Sequence, residues 1–129
     1  MFGLRRGTVR ELRIIVAAAD AERLRGALML AAAQAALGGR ASLFLQSDAV
    51  ALLRPPIAAP ADAAHEAAGQ PTLARLIEEA TALGVTLLAC QSGLALSGLT
   101  ADALPMGIEM GGTVSFLQAT DGDARLLFA

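Results

Sequence analysis

Apolar and polar positions alternate along this chain in blocks whose lengths suit strands and helices in turn. Residues 13 to 18, RIIVAA, are apolar after the first position and rich in β-branching. That pattern predicts a strand buried on both faces. Asp20 follows as an N-cap, with Glu22 in the first turn where the helix dipole favours an acid. A helix is predicted from about Ala21 to Leu37, closed by Gly38-Gly39. Its second half is apolar nearly all round, which predicts cover from a core or from another subunit. ASLFL, 41 to 45, reads as a second strand, with a short helical piece from Asp48 to Leu53.

The stretch from 54 to 71 breaks the rhythm, with three of the five prolines in its first seven residues. It reads as a loose surface excursion, of the kind that forms lids. Pro71 then predicts a helix at its own position as N1. Leu73, Leu76, Ile77, Ala80 and Leu83 form the buried stripe of that helix, and Arg75, Glu78 and Glu79 face water. Gly84 ends it. VTLLA, 85 to 89, is the third strand, with Cys90 at its carboxyl end. Beyond it the pattern predicts a short helix from about Ser92 to Ser97, a one-turn helix capped by Thr100 and an extended piece at 107 to 110. A helix after Gly111-Gly112, a turn at Asp121-Gly122 and a last strand, ARLLFA, complete the chain. Strand and helix alternate throughout, which predicts one three-layer α/β/α domain over residues 1–129 around a mainly parallel sheet of about five strands.

Composition narrows the function. The 129 residues suit a single domain, and 55% of them are hydrophobic, so a core can form without disulfides or metal. Four Phe, with no Tyr or Trp, leave no stacking platform, and a net charge of −2 offers no basic stripe. Nucleic acid is therefore not an expected partner. Every basic residue is Arg, which together with the many alanines reads as the bias of a high-GC bacterial genome. The opening, residues 1 to 24, has a basic start, but Asp20, Glu22 and Arg23 cut its apolar run to six residues, too short for a secretory leader. No stretch reaches the length of a membrane span. No membrane partner is expected, and the lone thiol suits a cytoplasmic protein.

The single cysteine rules out an internal disulfide and any multi-cysteine metal site, and no cofactor or metal is expected. Ligands of open parallel sheets gather outside the carboxyl ends of the strands. Cys90 stands at such an end with a helix starting just after it. The dipole and the free N–H groups of Gln91, Ser92 and Gly93 would favour a thiolate there and would hold an anion. Gly93 would let the backbone come close. The plain alternative is a buried cysteine that merely continues the apolar run LLAC. His65, the only histidine, lies in the 54–71 excursion and would reach Cys90 only if that segment folded over the site. Arg54 reads as a solvated charge or an anion clamp. Glu109 interrupts an apolar, glycine-rich stretch, facing water or standing as a candidate pocket residue beside the cysteine. No G-x-G-x-x-G, Walker, G-x-S-x-G or H-E-x-x-H pattern occurs, which removes most nucleotide, hydrolase and zincin readings.

The C-terminal part, residues 85–129, resembles the DsrE/DsrF/DrsH-like family. The residues that carry the resemblance are Ala89-Cys90-Gln91, Gly98-Leu99, Asp102, Gly107-Ile108-Glu109, Gly111-Gly112, Phe116-Leu117 and Leu126-Leu127-Phe128, in that order. The N-terminal half follows in element order with little motif content. Where relatives often carry Met and a polar or acidic residue after Ala-Cys-Gln, this chain reads Ser92-Gly93-Leu94-Ala95-Leu96. The resemblance implies a small α/β/α domain related to bacterial sulfur-relay proteins, a cysteine that carries a persulfide, and assembly as trimers or hexamers.

Two functions follow as expectations. One is a sulfur carrier, sulfurtransferase-like, whose Cys90 passes a persulfide from a donor protein to an acceptor protein. The absence of a second cysteine suits it and counts against a dithiol oxidoreductase or a self-resolving peroxidase. The other is a non-catalytic oligomeric module that binds a small ligand or anion, with Cys90 lining its pocket.

Overall fold

A computed structural model describes residues 9–129. The basic start of the chain, weighed above as a leader, lies outside the described residues. Five strands form one sheet in the order β4-β3-β2-β1-β5, and every neighbouring pair is parallel. The strands are β1 (Leu12–Val16), β2 (Ala41–Leu45), β3 (Thr86–Cys90), β4 (Glu109–Gly111) and β5 (Arg125–Phe128). The helices are α1 (Ala21–Ala36), α2 (Asp62–Ala67), α3 (Leu73–Ala82), α4 (Gln91–Ser97) and α5 (Thr113–Gln118), with 3₁₀ turns at Ser47–Leu53 and Ala101–Ala103. The three-layer α/β expectation holds.

The run of the chain across the sheet determines which face each helix covers. From β1 to β4 each strand is laid down on the same side of its predecessor. Right-handed crossovers then put their connections on one common face. There α1 and α3 pack against each other, and α1 lies over β1 and β2. The chain next returns past the whole sheet to add β5 beside β1, so the β4–β5 crossover runs on the opposite face. The ring of Phe116 in α5 stacks there on Phe44 of β2, centroids 5.0 Å apart. One face carries a full layer, and α5 is the only helix in the β4–β5 crossover that covers the other.

Local chemistry explains most boundaries. Asp20 caps α1 by accepting from the N–H groups of Glu22 and Arg23, as the pattern predicts. The α1 residues Leu24, Ala27, Leu28 and Ala31 are buried in the core, while Met29, Leu30 and Leu37 stay about half exposed. α3 begins two residues after the predicted start: Thr72, not Pro71, is its N-cap, and its side chain accepts from Arg75 N–H. Leu73, Leu76, Ile77 and Ala80 are buried as expected. Leu83 is not: it is the C-cap of α3 and 51% exposed, because the helix ends before another turn brings it back to the core.

The 54–71 excursion differs most from expectation. It is not loose, because Asp62 pins it. Its carboxylate accepts from Ala59 N–H at 2.9 Å, from Leu73 N–H at 2.9 Å and from the Arg25 guanidinium at 2.8 Å. Arg25 is buried in α1 and also donates to the Pro71 carbonyl at 2.6 Å. Asp62's carboxyl is held below its ordinary range, first by the Ala59 and Leu73 amides and then by Arg25, against the upward pull of desolvation.

Candidate functional site

β3 and β4 end side by side, with Cys90 paired to Gly111. The chain leaves β3 for the α1/α3 face and leaves β4 for the α5 face, so their carboxyl ends part at this point. Such a switch in direction is where open α/β sheets form their ligand crevices. Cys90 occupies it as the last residue of β3 and the N-cap of α4.

The thiol is buried, at 3% exposure. Burial is the largest single influence on its acidity and pushes its pKa up, because the thiolate loses hydration. Four hydrogen-bond contributions oppose that: the backbone groups of Ser47, Gly93 and Ser92, and the Ser92 side chain. Together they win, and the thiol lies below its ordinary value. The Ser92 hydroxyl is 3.6 Å from the sulfur.

Ser47 was not among the sequence candidates. It follows β2, the strand next to β3, and has a left-handed backbone, φ 53°. Only Gly and a few polar residues adopt that conformation readily. Gly93 is needed for contact: a Cβ there would overlap the Ser47 carbonyl and crowd Val50. The β2 loop and the first turn of α4 therefore close on the sulfur from two sides. A run of letters around Cys90 could not show a donor 43 positions upstream; the polar pair Gln46-Ser47 directly after ASLFL was the available signal.

Of the predicted anion-binding residues, Ser92 and Gly93 stand at the thiol. Gln91 lines a different feature, an open cleft of about 570 Å³ on the α5 face of the sheet. Glu109 is exposed on β4 and lines that cleft too, so it both faces water and belongs to a pocket. Cys90 is not among the residues lining this cleft.

His65 and Arg54 serve elsewhere. The His65 ring nitrogen lies 2.8 Å from the Glu22 carboxylate. That contact is the main cause of Glu22's lowered pKa, desolvation opposing it and Arg25 assisting. His65 thus braces the excursion against α1. Arg54 donates to the Ser97 carbonyl at the end of α4, which makes it a helix-end contact and not an anion clamp.

The model of the DsrE/DsrF-like family matches residues 12–128. The chain belongs to the DsrE/DsrF-like family. Two solved structures share the fold. One is the YchN protein from E. coli, at 21% identity and TM-score 0.67, covering 93% of this chain and 99% of that one. The other is MTH1491 from Methanobacterium thermoautotrophicum, described as a protein of unknown function, at 18% identity and TM-score 0.65 with the same coverage. No curated protein matches the sequence. No helix among the described residues is long and apolar enough to cross a membrane.

Proposed function

We propose that this DsrE-like chain is a sulfur carrier, and that Cys90 bears the sulfur as a persulfide. The observation that supports it most is the set of donors around one thiol at the sheet's switch point. They favour the thiolate, the form that attacks sulfur. In the loading step the Cys90 thiolate attacks the outer sulfur of a donor persulfide. A sulfur–sulfur bond forms at Cys90, the donor's own sulfur–sulfur bond breaks, and the donor thiolate leaves with the electron pair. Unloading is the same exchange with an acceptor thiolate attacking the outer sulfur. Neither step needs an outside oxidant or a second cysteine. The exposed positions of Gln91 and Ser92, beside the sulfur, suit a partner protein docking on this edge in a cytoplasmic relay.

Assembly into a homotrimer or homohexamer belongs to the same reading. Val114, Leu117 and Phe128, at 70%, 50% and 71% exposure, leave apolar surface on the α5 and β5 side that a second copy would cover.

The test is mass spectrometry of the intact chain after polysulfide, or after thiosulfate with a rhodanese. The expected result is a gain of one sulfur mass that reducing agent removes and that Cys90→Ser lacks. No gain in the wild type would reject the carrier. A second reading, a binding module without chemistry, is favoured by one observation: the thiol is only 3% exposed. Under it the wild type takes up no sulfur.

A further inference from the structure

The cleft on the α5 face is built around a buried charge that the sulfur chemistry does not use. Arg13, on β1, is 5% exposed and lines it. Its guanidinium lies over the Phe116 ring, 4.0 Å from the centroid. One terminal nitrogen reaches Glu11 and Ser42, each at 3.3 Å, and the other donates to the Phe116 carbonyl at 3.1 Å. The N–H on Nε is buried and has no partner among the described residues. An unpartnered buried donor is costly, and structures seldom keep one without a use.

Charge adds a second argument. Arg40 also lines the cleft and meets the same Glu11 carboxylate at 3.5 Å. Two guanidiniums thus share one carboxylate, itself only 9% exposed, and one positive charge is left over. Glu109 does not balance it. It sits on β4, three strands from β1, which at the usual strand spacing is about 14 Å away. Between the two ends the wall mixes apolar Leu88, Met110 and Phe116 with the hydroxyls of Thr86 and Ser115. A volume of about 570 Å³ suits a small molecule.

From this arrangement we infer that the cleft is a binding site for a small organic carboxylate with an apolar body. The carboxylate sits at the Arg13–Arg40 end, where guanidinium groups favour planar two-oxygen acceptors. The body lies along Leu88 and Met110 towards Gln91. The site is separate from the thiol and does not rest on the persulfide reading.

The probes are octanoate and octan-1-ol, which share an apolar chain and differ in charge, measured on the full chain by titration calorimetry. Octanoate is expected to bind roughly tenfold more tightly than the alcohol, the worth of one charge-assisted contact. Arg40, at 81% side-chain exposure, can be changed without disturbing the core. Arg40→Gln should remove most of that preference and leave the alcohol unaffected. Cys90→Ser should bind octanoate like the wild type, so sulfur loading and carboxylate binding fail or succeed separately. Equal binding of the two probes, or a preference that survives Arg40→Gln, would overturn the inference.

Discussion

The backbone of Gly93 lies against the carbonyl of Ser47 so closely that no Cβ fits between them. This contact joins the turn after β2 to the first turn of α4, and Cys90 lies between their amides. Gly93→Ala must therefore move one of the two. The expected cost is that of overpacking, about 1–3 kcal/mol. The loss of amide contacts should also raise the thiol pKa. Denaturant unfolding gives the first effect, and iodoacetamide alkylation against pH gives the second. A variant with both values unchanged would show that the contact does not position the thiol.

The titration of Cys90 should also appear in stability. Its folded pKa lies below the thiol's ordinary value, so between the two values the unfolded chain holds more protons than the folded one. Stability should rise with pH through that window. The gain is complete above the unfolded value and is lost as pH falls through the folded one. Cys90→Ser, which does not titrate there, should lack this rise. Ser92→Ala should move its midpoint upward, because the hydroxyl 3.6 Å from the sulfur is one of the groups lowering the pKa. A wild-type curve that parallels Cys90→Ser from pH 6 to 9 would contradict the lowered pKa.

Much of this fold was legible in the letters because its strands are apolar blocks and its first helix carries a cap. ASLFL fell on β2 without error, and Asp20 capped α1 as its position predicted. The site was half legible. Cys90, Ser92 and Gly93 are neighbours in sequence, and the end of an apolar strand gave them away. Ser47 joins them only because β2 lies beside β3, a fact of strand order that local pattern does not carry. The 54–71 segment departs from its sequence pattern for the same reason. Its prolines signalled a loop, while the contacts that order it reach Arg25 and Leu73 from Asp62.

Apolar side chains on the α5 and β5 side bear on assembly. Phe128 is 71% exposed on an edge strand and Val114 is 70% exposed on α5. Unpaired apolar edges invite association. Light scattering should give a multiple of the 13.1 kDa chain mass, three or six under the proposed assembly. Val114→Asp with Phe128→Asp should lower that mass, while the far-ultraviolet circular dichroism stays the same. A wild type that is monomeric at micromolar concentrations would sink the oligomer.

Asp62 offers the sharpest test of how the excursion is held. Its carboxylate accepts from two backbone amides and from Arg25, whose side chain is 5% exposed. Asp62→Ala leaves that guanidinium with the Pro71 carbonyl and the more distant Glu22 at 3.3 Å. Losing charge-assisted bonds in this part-buried pair costs about 1–3 kcal/mol. The loss should also be local, since Ala59 and Leu73 bracket the segment that Asp62 ties down. Limited proteolysis should cut Asp62→Ala between residues 54 and 71 much faster than the wild type. Acid should imitate the variant. The folded carboxyl pKa is lowered, so its contribution is fully present above the unfolded value of about 3.9 and disappears as pH falls through the folded one. His65→Ala is the control, because it removes only the Glu22 contact and leaves all three Asp62 bonds in place. If His65→Ala opened the segment as fully as Asp62→Ala, the brace would lie at Glu22 and not at Asp62.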